Sequence, residues 1–269
     1  MGDGVSFGNH GLKLDFYYNP TLGIQPPGCQ VTCWPAILLI HGGCWYFGDK
    51  TETRIIQVAN SLAADGFMVI VPNYRLVSGS NNPWPAQYTD VSEALDWMKL
   101  QASIEPGHIG IAGESAGAQL AGDLATYRAG DVKAWYGASG PYDLNNFDKG
   151  TYMKLESCIE DLMAYSYGHT GGDGDNTVDR RAASPISYID YNGVRTPPTL
   201  LTNFLEDSIN GVAMVPSSEM DEMAARLTTP PAQDSVTTRL VSGPGHALDT
   251  FDHTNLWNDI LTWLDTNVK

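Results

Sequence analysis

The sequence predicts an α/β fold: a mostly parallel central sheet with helices on both faces. Three observations predict it. Apolar runs of strand length alternate with segments of helical period along the chain. The runs are continuously apolar rather than apolar at every second residue, as strands covered on both faces are. The strand-then-helix order also repeats, which is the pattern of parallel strands joined by crossover helices.

In chain order, Leu14-Asp15-Phe16-Tyr17-Tyr18 reads as an early edge strand. Ala36 to Ile40 and Phe67 to Val71 read as buried strands, with a helix between them whose Ile55, Ala59, Leu62 and Ala63 share one face. Val91, Ala94, Leu95, Met98 and Ala102 trace the next helix, and Asp90 followed by Glu93 reads as its capping box. His108 to Ala112 is a further buried strand, and Ala116 to Tyr127 suits a helix. Val132 to Tyr136, Thr199 to Phe204 and Val236 to Val241 continue the strands; Leu256, Ile260, Leu261 and Leu264 form the stripe of a last helix. No internal repeat or linker divides the chain, so residues 1–269 are expected to form one domain. The rhythm breaks at about 145–184, which is expected to be a lid or loop insertion.

Charge and hydropathy exclude several partners. Asp and Glu outnumber Lys and Arg 31 to 15, a net charge of −16 that repels nucleic acid and anionic membranes. The longest apolar run, Ala36 to Ile40, is too short to span a bilayer. Met1-Gly2-Asp3-Gly4 lacks the start of a signal peptide, so a cytoplasmic protein is expected, or a secreted one if a leader has been removed. Cys29 and Cys33 are spaced to close a small disulfide in an oxidising compartment, but four cysteines make no scaffold. They read most simply as free or incidentally paired thiols. Asp173, Asp175 and Asp179 hint at calcium but lack the Glu that completes an EF-hand loop, and no metal is expected.

The chemistry centres on Gly113-Glu114-Ser115-Ala116-Gly117, between a strand and a helix. A nucleophile elbow needs this setting: the turn exposes the serine hydroxyl at the strand's carboxyl end, and the flanking glycines let the helix pass close. Upstream, Ile40-His41-Gly42-Gly43-Cys44-Trp45 follows a buried strand, where backbone N–H groups are needed to stabilise an acyl oxyanion. A base is expected downstream. His246, in Gly243-Pro244-Gly245-His246, lies between the last strand and the last helix; His253, its competitor, sits at the predicted helix start, and His41 reads as an organiser of the glycine loop. The orienting acid belongs after Thr199 to Phe204, where Leu205-Glu206-Asp207-Ser208 supplies two carboxylates; position favours Asp207, with Glu206 the runner-up.

Together these residues resemble the α/β-hydrolase esterase/lipase family with a His-Gly-Gly oxyanion loop, especially its small feruloyl- and acetyl-esterase-like branch. The likeness runs from about Ala36 onward, through Gly48-Asp49-Lys50, Pro72-Asn73-Tyr74-Arg75-Leu76, Trp84-Pro85-Ala86, Gly140-Pro141-Tyr142-Asp143-Leu144 and Val215-Pro216. It implies an α/β-hydrolase fold with no large N-terminal cap. It implies a triad of Ser115, Asp207 and His246, and an oxyanion hole of the Gly43, Cys44 and Ala116 amides. Two departures stand out: Cys44 replaces the family's third glycine, and Ser208 to Met214 intervene between Asp207 and Val215-Pro216.

The function implied is that of a serine carboxylesterase hydrolysing short-chain or aromatic esters through an acyl-enzyme. It would need no cofactor, take a small-molecule ester, and act as a monomer or homodimer, with Trp45, Trp84 and Tyr142 lining the substrate pocket. An arylformamidase-type amidase shares the His-Gly-Gly-x-Trp loop and is the enzymatic alternative. The non-enzymatic alternative is a catalytically silent binding module, although such proteins typically lose a triad member, and all three are present here.

Overall fold

The alternation of β3 (Trp34–Ile40) shows why its run is apolar throughout. Ala36, Leu38 and Ile40 belong to one core cluster, Ile37 and Leu39 to the other, and all are buried. Successive strand side chains point to opposite faces, so a strand with helices on both sides must be apolar at every position. Burying each such Leu or Ile contributes about 1.5–3 kcal/mol.

The structure, a computed structural model, describes residues 2–24, 29–163, 177–192, 195–229 and 234–269. β1 (Gly2–Ser6) and β2 (Lys13–Tyr17) pair antiparallel, and β2 pairs antiparallel with β4 (Met68–Pro72). From β4 the sheet continues in parallel through β3, β5 (Ile104–Glu114), β6 (Ala134–Ala138), β7 (Thr199–Ile209) and β9 (Val236–Gly245). β8 (Val212–Ala213) folds back onto the end of β7. The helices are α1 (Thr53–Ala64), α2 (Ala86–Lys99), α3 (Ala116–Tyr127), α4 (Met153–Leu162), α5 (Thr177–Ala182), α6 (Pro185–Asn192), α7 (Ser217–Thr228) and α8 (Thr254–Val268). Ile55 and Leu62 of α1 and Ile260 and Leu264 of α8 pack on one face; Val91 and Leu95 of α2 and Leu120 and Leu124 of α3 pack on the other. No helix among the described residues is long and apolar enough to cross a membrane.

Several expected bounds shift. The sixth strand is Ala134–Ala138 rather than Val132 to Tyr136, and β1 precedes the expected first strand. The Asp90–Glu93 capping box does not form. α2 starts at Ala86, leaving Asp90 wholly buried inside it, where its carboxylate accepts from Arg75 N at 2.7 Å and pairs with the guanidinium at 2.8 Å. The requirement to neutralise that buried charge overrode the local capping pattern. Within the expected insertion, residues 164–176 lie outside the described residues, and so do Asp173, Asp175 and the side chain of Asp179.

A buried carboxyl ties α7 to the segment after β6. Glu219 Oε2 accepts from the N–H groups of Tyr142 at 2.8 Å and Asp143 at 2.7 Å. Burial nevertheless pushes its pKa up to about 8, outweighing those two bonds, which act in the opposite direction. The folded state therefore keeps a proton that the unfolded chain releases near 4.5. Stability is full below that value and falls as pH rises toward 8. Glu219→Gln is expected to flatten this fall in Tm measured from pH 5 to pH 9; parallel curves for the two proteins would refute it.

Candidate active site

Ser115 is the hinge between β5 and α3, with φ 52° and ψ −123°. A residue bearing a Cβ pays about 1–2 kcal/mol for a left-handed φ, so the surroundings must hold it there. Ser115 N donates to Ala138 O at 2.8 Å, and Ser115 O accepts from Ala118 N at 2.9 Å. The glycines make the turn possible: a Cβ on Gly113 would lie 2.1 Å from Gly117 O, and one on Gly117 would lie 2.2 Å from Ile40 O. The serine is 9% exposed, and its hydroxyl makes no hydrogen bond among the described residues.

The loop after β3 strings together three left-handed residues: Gly43 at φ 109°, Cys44 at 50° and Trp45 at 61°. Gly43 O accepts from Tyr46 N at 3.1 Å and Phe47 N at 3.0 Å, closing the turn. Tyr74 donates its phenol to His41 O and Gly42 O, each at 3.1 Å, and stacks on the His41 ring at 4.4 Å. His41 is buried, with Nδ1 2.7 Å from Gly42 O; burial lowers its pKa, leaving a neutral ring that organises the loop. Glu114, which precedes Ser115, accepts from Gly42 N and so joins the loop to the elbow. The N–H groups of Gly43, Cys44 and Ala116 have no hydrogen-bond partner among the described residues. At Ala116 the reason is general, since the first N–H of a helix has no intrahelical acceptor.

His246 and Asp207 come together from the ends of adjacent parallel strands. His246 Nδ1 lies 2.7 Å from Asp207 Oδ1, both side chains buried. With a carboxylate as neighbour, Nδ1 carries the proton and Nε2 is free to accept one. Val215 N also donates to Asp207 Oδ1 at 3.0 Å, and His246 N donates to Asp249 Oδ2 at 2.8 Å. Burial works to lower the His246 pKa, but the Asp207 hydrogen bond and charge, with Glu114 and Asp249 beyond, raise it above 6.5. Glu206, the runner-up, is exposed. The β7–β9 register shifts between Phe204 and Glu206, and past this irregularity Leu205 and Glu206 are both exposed while Asp207 is buried. His253 is exposed at the start of α8, with its ring 5.8 Å from that of Phe204.

The segment between Asp207 and Val215 is a hairpin of β7 and β8, turned by Asn210 at φ 51° and Gly211 at φ 77°. Consecutive positive φ values at an Asn-Gly pair are what a tight type I′ turn demands. The departure from the family pattern is therefore absorbed locally, and Met214 N still donates to Asp207 O at 3.1 Å.

Of the three aromatic residues expected to line a pocket, two are fully buried. Trp45 and Tyr142 are each 1% exposed, so neither offers a face to a substrate. Trp45 donates its indole N–H to Gln119 Oε1 at 2.9 Å, and Tyr142 packs edge-on against Trp135. Trp84 is half-buried against the core beside Tyr88, 5.9 Å between rings, with its backbone N–H on Leu162 O. Apolar side chains that reach the surface on these segments include Phe47 on the glycine loop, Met153 at the start of α4, Leu205 on β7, and Ile209 and Val212 on the hairpin. Ile209 lines a cleft of ≈ 290 Å³ with His246, Glu114, Glu52 and Arg54.

Cys29 and Cys33 pair as their spacing allows, and the structure corrects only the expectation of free thiols. All four are paired, Cys29 with Cys33 and Cys44 with Cys158. The second pairing joins the glycine loop to α4 across 114 residues, a separation that no local spacing reveals. Glu114, Asp249 and Cys158 also escaped the sequence reading. Only Glu114 carried a signal, as the variable position of the serine motif.

A possible cation cluster of His10, Asp90 and Glu93 has its ligand atoms within 4.8 Å of one another, but Arg75 already neutralises Asp90.

The model of the BD-FAE family matches residues 22–224, which include the glycine loop, Ser115 and Asp207. The chain belongs to the BD-FAE family. Among curated proteins this BD-FAE chain is similar to Esterase LipQ of Mycobacterium tuberculosis, 28% identical over 80% of this chain and 49% of that protein. It is also similar to arylacetamide deacetylase of Bos taurus, 36% identical over 33% of this chain and 23% of that protein. The chain thus spans about half or less of the length of these relatives. Among solved structures, a truncated carbohydrate esterase from gut microbiota superposes with a TM-score of 0.71 at 22% identity, over 95% of this chain and 90% of that one. The carboxylesterase Cest-2923 of Lactobacillus plantarum gives 0.73 at 16% identity, over 99% and 98%. The fold is therefore that of the α/β hydrolases, with an open sheet.

Proposed function

We propose that this chain is a serine carboxylesterase, with Ser115 as nucleophile, His246 as base and Asp207 as the acid that orients it. The observation that carries the reading is the left-handed Ser115 elbow, joined through Glu114 to a loop whose Gly43 and Cys44 N–H groups, with that of Ala116, have no partner. Such unengaged donors are what a developing oxyanion needs. His246 Nε2 takes the proton of Ser115 Oγ as the oxygen attacks the ester carbonyl, and Asp207 holds the Nδ1–H tautomer. The leaving alcohol takes that proton, and water releases the acid by the reverse route. Apo sites often have long nucleophile–base contacts that tighten on binding, so an unbonded Ser115 hydroxyl is compatible with this role.

We further propose short-chain or aromatic acyl groups of the acetyl and feruloyl type. The apolar rim of Phe47, Met153, Ile209 and Val212 supports this, and the carbohydrate esterase among the structural neighbours points the same way. The resemblance to an arylacetamide deacetylase favours amide hydrolysis as the second reading. A panel of p-nitrophenyl acetate, butyrate and octanoate, methyl ferulate, acetylated xylan and N-formylkynurenine separates them. Highest kcat/KM on acetate or ferulate supports the ester reading, and a preference for N-formylkynurenine overturns it. Two disulfides support a location outside a reducing cytoplasm.

The raised His246 pKa sets the expected pH dependence. Only the neutral imidazole accepts the Ser115 proton, so kcat/KM falls as pH drops through a midpoint above 6.5. Initial rates between pH 4 and 9 test this; a profile flat down to pH 5 would exclude His246 as the base.

A further inference from the structure

Position 44 holds a residue that its backbone disfavours. A left-handed φ suits glycine, yet Cys44 stands at φ 50° between Gly43 and Trp45, which are also left-handed. A cysteine there is explained if its Cβ does something glycine cannot. It carries the sulfur bonded to Cys158, on the buried face of α4 with Leu155, Ile159 and Leu162.

α4 is itself well anchored. Leu162 O accepts from Trp84 N at 2.9 Å, and Glu156 receives both guanidinium nitrogens of Arg180, at 2.7 and 2.8 Å. Its first turn reaches the glycine loop a second time, through Lys154 Nζ to the Tyr46 phenol at 2.6 Å. Tyr152, just before α4, lies near enough to Asp207 to feel its charge. The first two turns of α4 therefore meet the glycine loop at Lys154 and Cys158, and the disulfide is the covalent one of these contacts.

We propose that Cys158 is a positioning residue for the oxyanion loop: its disulfide holds Cys44 in the left-handed conformation that leaves the Cys44 N–H free to bind the acyl oxyanion. This rests on the esterase reading above. With the bond closed, the donor is preorganised. With it open, Cys44 relaxes toward a negative φ and the N–H turns away. The loss falls on the transition state, where the oxyanion exists, and not on binding of the neutral ester.

Peptide mapping of the unreduced protein is expected to show the Cys44 and Cys158 peptides joined. Cys158→Ala is expected to lower kcat on p-nitrophenyl acetate on the order of 10²-fold, the scale of losing one oxyanion donor, with KM little changed. Affinity for a trifluoromethyl ketone analogue should fall in parallel. The double variant Cys44→Gly/Cys158→Ala should recover most of kcat, because glycine adopts the left-handed conformation without a tether. Cys29→Ser/Cys33→Ser should leave kcat unchanged. If Cys158→Ala fails to fold, dithiothreitol-reduced wild type replaces it: the dithiol gives up two electrons and two protons to the Cys44–Cys158 bond and closes to its cyclic disulfide, leaving two thiols. Free Cys44 and Cys158 in the native protein, an unchanged kcat after the bond is lost, or a double variant as slow as the single one would each overturn the proposal. A wild type that neither hydrolyses esters nor takes a fluorophosphonate label would instead overturn the esterase reading.

Discussion

Ser115→Ala lowers kcat for ester hydrolysis on the order of 10⁶-fold, the scale found when the nucleophile of subtilisin is removed. The substitution keeps a Cβ at a site already held at φ 52° by the Ala138 hydrogen bond, and the removed hydroxyl has no partner to lose. Folding should therefore be intact, and the thermal transition close to that of the parent. The Gly43, Cys44 and Ala116 amides remain, so a residual rate above the uncatalysed one is expected. Steady-state kinetics on p-nitrophenyl acetate, with fluorophosphonate labelling of both proteins, provide the measurement. Near-parental turnover in the variant would remove Ser115 from the mechanism.

Asp207→Asn is expected to cost about 10⁴-fold in kcat, because an amide facing His246 Nδ1 favours the wrong tautomer. The acid limb of the pH profile should also move down, since the leading interactions that raise the His246 pKa come from Asp207. Glu206→Gln is the informative partner. Glu206 is exposed on the outer side of β7, and its substitution should leave both kcat and the pH profile unchanged. If Glu206→Gln were the slow variant instead, the acid would be reassigned.

Much of the fold was legible because burial writes a pattern into sequence. Ala36 to Ile40 had to be apolar at every position to sit between two helical layers, and it forms the last five residues of β3. Ala116 to Tyr127 was readable to the residue because the glycines and serine of the motif fix where the helix begins. Asp90 was misread for a complementary reason. Its capping pattern is local, whereas its pairing with Arg75 arises only when the segment after β4 folds against α2. The expectations for Trp45 and Tyr142 failed similarly. Proximity in sequence to a catalytic loop does not say which way a ring points, and Trp45 and Tyr142 point into the core.

By itself, the sequence determined the α/β layering, the strand–turn–helix around Ser115 and the glycine loop before it, because each depends on residues a few positions apart. Only the tertiary structure brings Asp207 rather than Glu206 to His246, since the register of β7 against β9 sets which carboxylate meets the ring. It alone paired Cys44 with Cys158, because that bond depends on where the chain returns after 114 residues, and no periodicity encodes such a return.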